Sequence, residues 1–433
     1  MQKCINDKIA YQEHPMFSKP PGIEDIFPDR IDRWNHIVNT AKKVFIKYNY
    51  REIIVPVMEF TEVFARGLGD ETDIVSKEMF TFEDRGGRSL TLRPEGTASV
   101  VRAYVENGEY NRLSTCKLFY FGPMFRAERP QRGRLRQFNQ FGAEFFGSGD
   151  PYYDYEIMAM GDEIAREAGI EDYTLLVNSI GCPDDREAYV AELKNYYRKK
   201  VNDLCDDCKK RLEKNTLRLL DCKNDSCRMI KQQAPLITDH LCPQCREHHQ
   251  AVKSYLAANN ITFVEDPFLV RGLDYYSKTT FEFVTDRLGG QNAFAAGGRY
   301  DSLVGHFGGK DTPAVGFAAG IERIFLLTEG NDLPVDGIDA YIVHGGGESL
   351  NKGVALASQL RHMGLSVDLD PSSKGFKSQF KKADRENAKF AVVIGEDEVR
   401  SGNYTVKDLK TGEQKTVSPD QCASLIKKAG KDD

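Results

Sequence analysis

The chain has no apolar run approaching the ~18 residues that a membrane-spanning helix needs. Its first residues, "MQKCINDKIAYQEHPMF", contain no apolar stretch leading to a small-residue cleavage site. Both absences point to a protein of the cytoplasm with no membrane partner. Basic charge is not in excess either. The 59 Lys and Arg against 65 Asp and Glu leave a net charge of −6, which excludes a uniformly basic nucleic-acid coat but leaves local patches open. Glycine loops of the nucleotide-binding kind are missing too. In "GGRYDSLVGHFGGKDT" the glycine that a P-loop needs five positions before Gly309 is Val304, and Asp311 follows Lys310 where Ser or Thr belongs. "VHGGGES" completes no G-x-G-x-x-G and reads as a tight turn. Any bound phosphate must therefore be held by arginines.

What is there is enough for two or three domains, since 433 residues exceed one typical core. Residues up to about Gly181 mix helical text such as "RIDRWNHIVNTAKKVFIKYN" with apolar strands such as "EIIVPV" and "CKLFYFGPMF", an α+β pattern with an antiparallel sheet. From about Asp184 to Asn260 the text turns helical and charged and holds six of the ten cysteines, like an insertion. Strand-like and Gly-rich segments return from Phe268 to Glu329, and "GNDLPVDG" follows as a linker. After it strand, helix, strand, helix and strand alternate, which predicts a small α/β domain with a mostly parallel sheet. The expected division is 1–182 with 263–330, an inserted helical domain 183–262, and a final domain 336–433.

Between Phe125 and Phe146, "FRAERPQRGRLRQFNQFGAEFF" carries five arginines and two glutamates. With period two from Arg134, one face holds Arg134, Arg136, Phe138, Gln140, Gly142 and Glu144, and the other Leu135, Gln137, Asn139, Phe141, Ala143 and Phe145. Upstream, the aromatic-rich text places Arg126 and Glu128 on one side, so two strands are expected around the loop "RPQRGR". Such a face could be a solvated surface with ion pairs. Equally, guanidinium forks suit phosphate and a flat ring suits a purine, so it could be a nucleotide site.

Three longer stretches decide between these. "YREIIVPVME" resembles the first motif of class II aminoacyl-tRNA synthetases, "FRAERPQRGRLRQFNQFGAE" the second, and "TPAVGFAAGIERI" the third. "TLRPEGTAS", Thr91 to Ser99, and "LVRGLDYYSKTTFEF", Leu269 to Phe283, resemble the histidyl-tRNA synthetases of that class, of bacterial type. The resemblance runs over nearly the whole chain, with the last domain similar to a class IIa anticodon-binding domain. It implies ligation of L-histidine to tRNA(His) through histidyl-adenylate, with ATP consumed as substrate and Mg²⁺ carried by it, in a homodimer whose first motif lies at the subunit interface. A non-catalytic relative, the histidine-sensing regulatory subunit of ATP phosphoribosyltransferase, resembles the same catalytic domain. It usually departs from the motif arginines and lacks the last domain, whereas Arg126, Arg271, Arg323 and the residues from Asp336 onward are all present here.

Residue by residue, the resemblance places Arg126 on the α-phosphate and Phe138 under adenine. Arg323 would cap the adenine from the other side, with Glu128 and Arg134 near the nucleotide. For histidine it implies Glu95, Gly96 and Thr97 at the α-ammonium with Gln140 beside them. Glu144 and Tyr276 would read the imidazole nitrogens, with Tyr275 in the same wall. Arg271 would lie by the substrate carboxylate and α-phosphate, where a fixed cation serves the transition state; with Arg126 it is the expected catalytic pair.

The cysteines remain open. With "CDDC" at Cys205 and Cys208 and "CPQC" at Cys242 and Cys245, those four could form one tetrahedral zinc site. Cys222 and Cys227 lie between them, and reduced cysteines in a helical insertion are the alternative. Near the C-terminus, "SSKGFKSQFKKADRENAKF" gathers Lys374, Lys377, Lys381, Lys382, Arg385 and Lys389 against Asp384 and Glu386. This is either a solvated lysine-rich helix or a tRNA contact.

Overall fold

The side-chain alternation of "CKLFYFGPMF" and "QFNQFGAEFF" yields a central hairpin of strands Cys116–Phe125 and Gln137–Phe146, in register from Cys116 opposite Phe146 to Phe125 opposite Gln137. The computed structural model describes residues 17–429 except 70, 71, 73, 274, 291, 332–336, 373 and 374. Its two compact units are Met1–Asn331 and Asp332–Asp433.

In the first unit the hairpin sits inside an eight-stranded sheet. The spatial order is Arg51–Glu52, Cys116–Phe125, Gln137–Phe146, Ala314–Gly320, Ala293–Arg299, Ser277–Val284, Thr174–Ser179, Phe263–Glu265. Only the pairings at the two edges are parallel; the interior ones are antiparallel. A smaller sheet of Met58–Phe60, Ser89–Leu92 and Phe80–Glu83 accompanies it. "IIVPV" stays out of both sheets, because Pro56 has no amide to donate.

The odd residues Phe141, Ala143 and Phe145 enter a core completed by the helix Pro28–Lys47 and the helix Pro151–Glu167. The first helix opens on Pro28, carries Asp29 in its first turn and Lys47 in its last, and buries Ile37, Ala41, Val44 and Phe45 as a stripe. Phe45 stacks on Phe119 with ring centroids 5.0 Å apart. Cutting it to Ala would cost about 3–5 kcal/mol. Beside this core the guanidinium of Arg299, fully buried, is paired with Asp154 and donates to the carbonyl oxygens of Ser148 (3.1 Å) and Asp150 (3.3 Å). Removing Asp154 would leave that charge with Asp301 (3.1 Å) as its remaining carboxylate partner, a loss below the about 3–5 kcal/mol of a buried charge left with none.

Residues 183–262 form the helices Pro183–Arg198, Asp206–Lys214, Asp225–Lys231 and Pro243–Ala258 with short 3₁₀ turns between them. The last of these packs on Pro151–Glu167.

The second unit has a five-stranded sheet in the order Val367–Leu369, Ala340–His344, Phe390–Ile394, Tyr404–Asp408, Gln414–Val417. Its first three strands are parallel, joined by the helices Gly347–His362 and Phe376–Arg385. The hairpin "NYTVKDLKTGEQKTV" extends it in antiparallel fashion, so only two of the four pairings are parallel. Its polar alternation hides it among loop-like text.

Candidate active site

A cavity of about 790 Å³ borders the face of the large sheet that carries Phe138 and Gln140. Its two ends differ in chemistry. At one end the segment "RPEGTAS" turns into the helix Thr97–Glu106. Arg93 pins the turn, donating to the carbonyl oxygens of Pro123 (2.8 Å) and Val55 (3.0 Å). The Glu95 carboxylate accepts from the amides of Thr97 (2.7 Å) and Ala98 (2.8 Å), where the open first turn of a helix favours an anion. Gly96 leaves no room for a side chain: a Cβ there would lie 2.2 Å from the ring of Tyr120. Burial pushes the Glu95 carboxyl up, and those two amides pull it part of the way back.

Behind this turn lies Glu144, fully buried. Thr97 Oγ1 donates to its Oε1 (2.7 Å) and the Tyr300 hydroxyl to its Oε2. Burial pushes its carboxyl up to about 8, against the pull of those two hydroxyls and with a further push from Glu95. Space for it depends on Gly316, its partner across the sheet, where a Cβ would come 1.7 Å from Oε2. Tyr275 and Tyr276 close this end with ring centroids 4.6 Å apart, and Tyr300 meets Tyr275 edge-on at 5.5 Å. Gln140 Oε1 is buried with no partner on the cavity wall. A buried acceptor left so costs about 1–3 kcal/mol, which a donor on a ligand would recover.

The other end is cationic. Arg126 donates from Nε to the Pro94 carbonyl oxygen (3.0 Å), and its guanidinium stands 5.2 Å over the Phe138 ring. Arg134 pairs with Glu128 and lies 3.6 Å from Glu78. Arg271 pairs through Nη1 with Glu282, while its Nε is buried and unpartnered. Arg323 donates to the carbonyl oxygens of Gly133 (3.1 Å) and Ala293. Burial lowers Arg126, and Arg134 and Arg271 oppose the help it receives from Glu78 and Glu95. Burial also lowers Arg323, and Arg126 and Arg134 push it further down. For Arg271 burial acts downward, but Glu282, Tyr276 and Tyr275 together outweigh it and the net shift is upward. Guanidiniums crowded enough to destabilise one another's charge make a site for a polyanion, which would relieve that repulsion.

Of the residues singled out in the sequence, Glu95, Thr97, Arg126, Glu128, Arg134, Phe138, Gln140, Arg271, Tyr275, Tyr276 and Arg323 line this one cavity. Gly96 and Glu144 stand behind it. Arg126, Glu128, Arg134 and Arg136 sit in the loop rather than on strands. There the Arg126 amide bonds the Arg136 carbonyl oxygen at 2.8 Å and Gln131 bridges Arg134. Sequence reasoning missed Glu78, Glu282, Tyr300 and Glu322, whose carboxylate accepts from the Asn139 amide (2.8 Å). Only Glu282 carried a signal, as the one carboxylate in "KTTFEF".

The four cysteines expected as one metal site are not brought together. Cys205 and Cys208 meet Cys222 and Cys227, whereas Cys242 and Cys245 meet Cys182 and Asp185. The reason is capping: Asp185 accepts from the amides of Cys182 (3.2 Å) and Cys242 (2.9 Å), tying the start of Pro243–Ala258 to the start of Pro183–Arg198.

Comparison with known proteins gives a consistent result. A family model described as Histidyl-tRNA synthetase matches residues 22–324, and one described as Anticodon binding domain matches 339–429. A histidine–tRNA ligase of Halothermothrix orenii is 48% identical over 415 residues, covering 95% of this chain and 98% of that protein. One from Geobacillus sp. is 46% identical over 407 residues, covering 93% and 96%. The crystal structure of apo S. aureus histidyl-tRNA synthetase superposes with a TM-score of 0.80 at 36% identity, covering 95% of this chain and all of that one.

Proposed function

The chain belongs to the histidyl-tRNA synthetase family, and from that premise we propose how its cavity performs histidine–tRNA ligation. The observation that carries the reading is that one cavity brings Arg126, Arg134, Arg271 and Arg323 together with Glu95, Tyr275 and Tyr276, Arg271 standing beside the two tyrosines where the ends meet.

ATP, arriving with Mg²⁺ that screens its phosphates, lies with its phosphates among the arginines. Phe138 stacks on the adenine once Arg126 leaves its ring for the α-phosphate. Arg323 covers the opposite face of the base, and Glu128 and Arg134 bound the nucleotide. Histidine lies toward the acidic end. Glu95, Thr97 and Gln140 accept from its ammonium, for which the unpartnered Gln140 Oε1 is already aimed at the cavity. Glu144 and Tyr276 serve the two imidazole nitrogens. The protonated state that burial favours at Glu144 lets the carboxyl donate to a neutral ring or pass its proton to it.

Chemistry then needs position and charge neutralisation rather than a protein nucleophile. A histidine carboxylate oxygen attacks the α-phosphorus in line and the bond to the β-phosphate oxygen breaks, so pyrophosphate leaves. Negative charge rising on the α-phosphate is met by Arg126, which swings in from the Phe138 ring, and by Arg271, oriented by Glu282. In the second step a hydroxyl of the terminal ribose of tRNA(His) attacks the carbonyl carbon and AMP departs.

We place the protein in the cytoplasm, where its substrates are; no described helix is long and apolar enough to cross a membrane. We also propose a homodimer, supported by the exposed apolar residues Ile54, Val57 and Met58 of the first motif and Phe60 just after it. The match at 339–429 weighs against the regulatory-subunit reading. Histidine-dependent exchange of pyrophosphate into ATP tests the assignment: exchange without tRNA is expected, and its absence with intact histidine binding would favour a sensor.

A further inference from the structure

Among the described residues the sulfurs of Cys205, Cys208, Cys222 and Cys227 all lie within 4.8 Å of one another. A tetrahedron of sulfurs around a metal at ~2.3 Å has edges of about 3.8 Å, and the sulfurs of Cys205 and Cys222 are 3.8 Å apart. Three of the four are buried and Cys205 is half-buried, so a bound ion would be largely shielded from solvent. The main chain is arranged for thiolates: the Cys205 amide donates to Cys227 Sγ (3.4 Å), and Cys205 caps the helix Asp206–Lys214, whose N-terminus favours negative charge. The helices that carry Cys208 and Cys227 have nine and seven residues, too short to hold themselves without a tertiary anchor, and Cys222 lies in the connection between them.

We propose that Cys205, Cys208, Cys222 and Cys227 hold a structural Zn²⁺ as a closed tetrathiolate site, which fixes one wall of the active cavity. Cys205 and Cys222 line that cavity together with Lys223 and Arg218. Lys223 donates to the Gly290 carbonyl oxygen. Arg218 lies against Gly272, next to Arg271: a Cβ on Gly272 would be 2.8 Å from its Nη1. The metal therefore ties the insertion to the segment bearing Arg271. The cluster of Cys182, Asp185, Cys242 and Cys245 is left out, because main-chain amides already take both oxygens of its carboxylate.

The test uses the full chain purified without chelator under reducing conditions. Elemental analysis is expected to find about one zinc per chain. Exchange for Co²⁺ should give the tetrahedral absorption bands and sulfur-to-cobalt charge transfer of four thiolates, a readout on the unaltered protein that needs no variant to fold. Cys205→Ser with Cys222→Ser should abolish both signals, and Cys242→Ser with Cys245→Ser should keep them. Stripping the metal should open residues 199–236 to protease. No bound metal in the unaltered protein, disulfides between these four cysteines, or metal retained by the Cys205/Cys222 variant would overturn the site. An unchanged protease pattern after stripping would overturn its role in holding the wall.

Discussion

The cavity of the first unit and the helix Phe376–Arg385 of the second both gather cationic side chains, but they hold them in opposite ways. In the cavity, guanidiniums are half-buried, paired with Glu78, Glu128 and Glu282, and crowded enough to lower the affinity of Arg126 and Arg323 for protons. On the helix, Lys377 and Lys381 are exposed and Lys382 is tied to Asp370, while Lys389, beyond its end, is 3.2 Å from Asp339. Lys374 lies outside the described residues. Buried charge fixed in place can act on one atom of a reacting group, and its loss is felt in the transition state. Exposed charge on flexible stems is screened by salt and acts on a ligand's overall potential. The two regions should therefore respond to substitution on very different scales.

The largest effect is expected at Arg271. Its Nε has no partner and its Nη1 is held by Glu282, so the group is oriented before substrate arrives. Arg271→Ala should slow histidine-dependent pyrophosphate exchange by on the order of 10²–10³-fold, with ATP affinity changed far less. Arg271→Lys should recover part of the rate, because the charge returns without the planar fork. Exchange within twofold of the unaltered enzyme would place Arg271 outside the chemistry and erase the contrast.

Glu144 extends the comparison to a buried acid. Glu144→Gln should weaken histidine about 10–100-fold, the loss of one or two charge-assisted hydrogen bonds, and leave ATP nearly untouched. Equal losses for both substrates would mean a damaged fold. The same substitution has a signature in stability. The folded, empty protein keeps a proton on Glu144 up to about pH 8, whereas an unfolded chain loses it in the ordinary carboxyl range. Between those limits the folded state binds more protons, so stability falls as pH rises, by on the order of a few kcal/mol in all. Gln has no such proton. The Tm of Glu144→Gln relative to the unaltered protein should climb between pH 5 and 8.5, and a constant difference would refute the raised ionisation.

How much of this was legible depended on whether neighbours in sequence stay neighbours in space. The strand Cys116–Phe125 and the helix Pro28–Lys47 follow from local alternation and capping. The alternate residues Phe138 and Gln140 reach the cavity because strand geometry leaves them no choice. The alternation fails for Arg134 and Arg136, since the strand begins only at Gln137 and the loop makes its own hydrogen bonds. Tyr300 finds Glu144 across a sheet whose register is set by segments far along the chain, which no local pattern encodes; Glu282 meets Arg271 from a strand to the loop eleven residues before it. The cysteines misled for the same reason. Two C-x-x-C pairs look like one site in text, but each pair opens a different helix, and Cys222 and Cys227 arrive from a third segment.

The smallest effect is expected on the exposed side of the comparison. Gln379 and Ala383 turn inward from Phe376–Arg385, and Lys377 and Lys381 are left on its outer face, four residues apart. If that face meets tRNA phosphates, as the anticodon-binding match at 339–429 suggests for this unit, each lysine releases about one counterion on binding. Each phosphate contact then contributes roughly 0.7–0.9 to the slope of log affinity against log salt. Lys377→Glu with Lys381→Glu should flatten that slope by roughly 1.5 and weaken tRNA binding severalfold at moderate salt. Pyrophosphate exchange should not change, because neither residue borders the cavity. Lys382→Glu would confound the measurement, since it also breaks the pair with Asp370 and could disturb the helix itself. A double variant with an unaltered salt slope would assign these lysines to solvent alone, and the cationic contribution to tRNA binding would have to come from other residues.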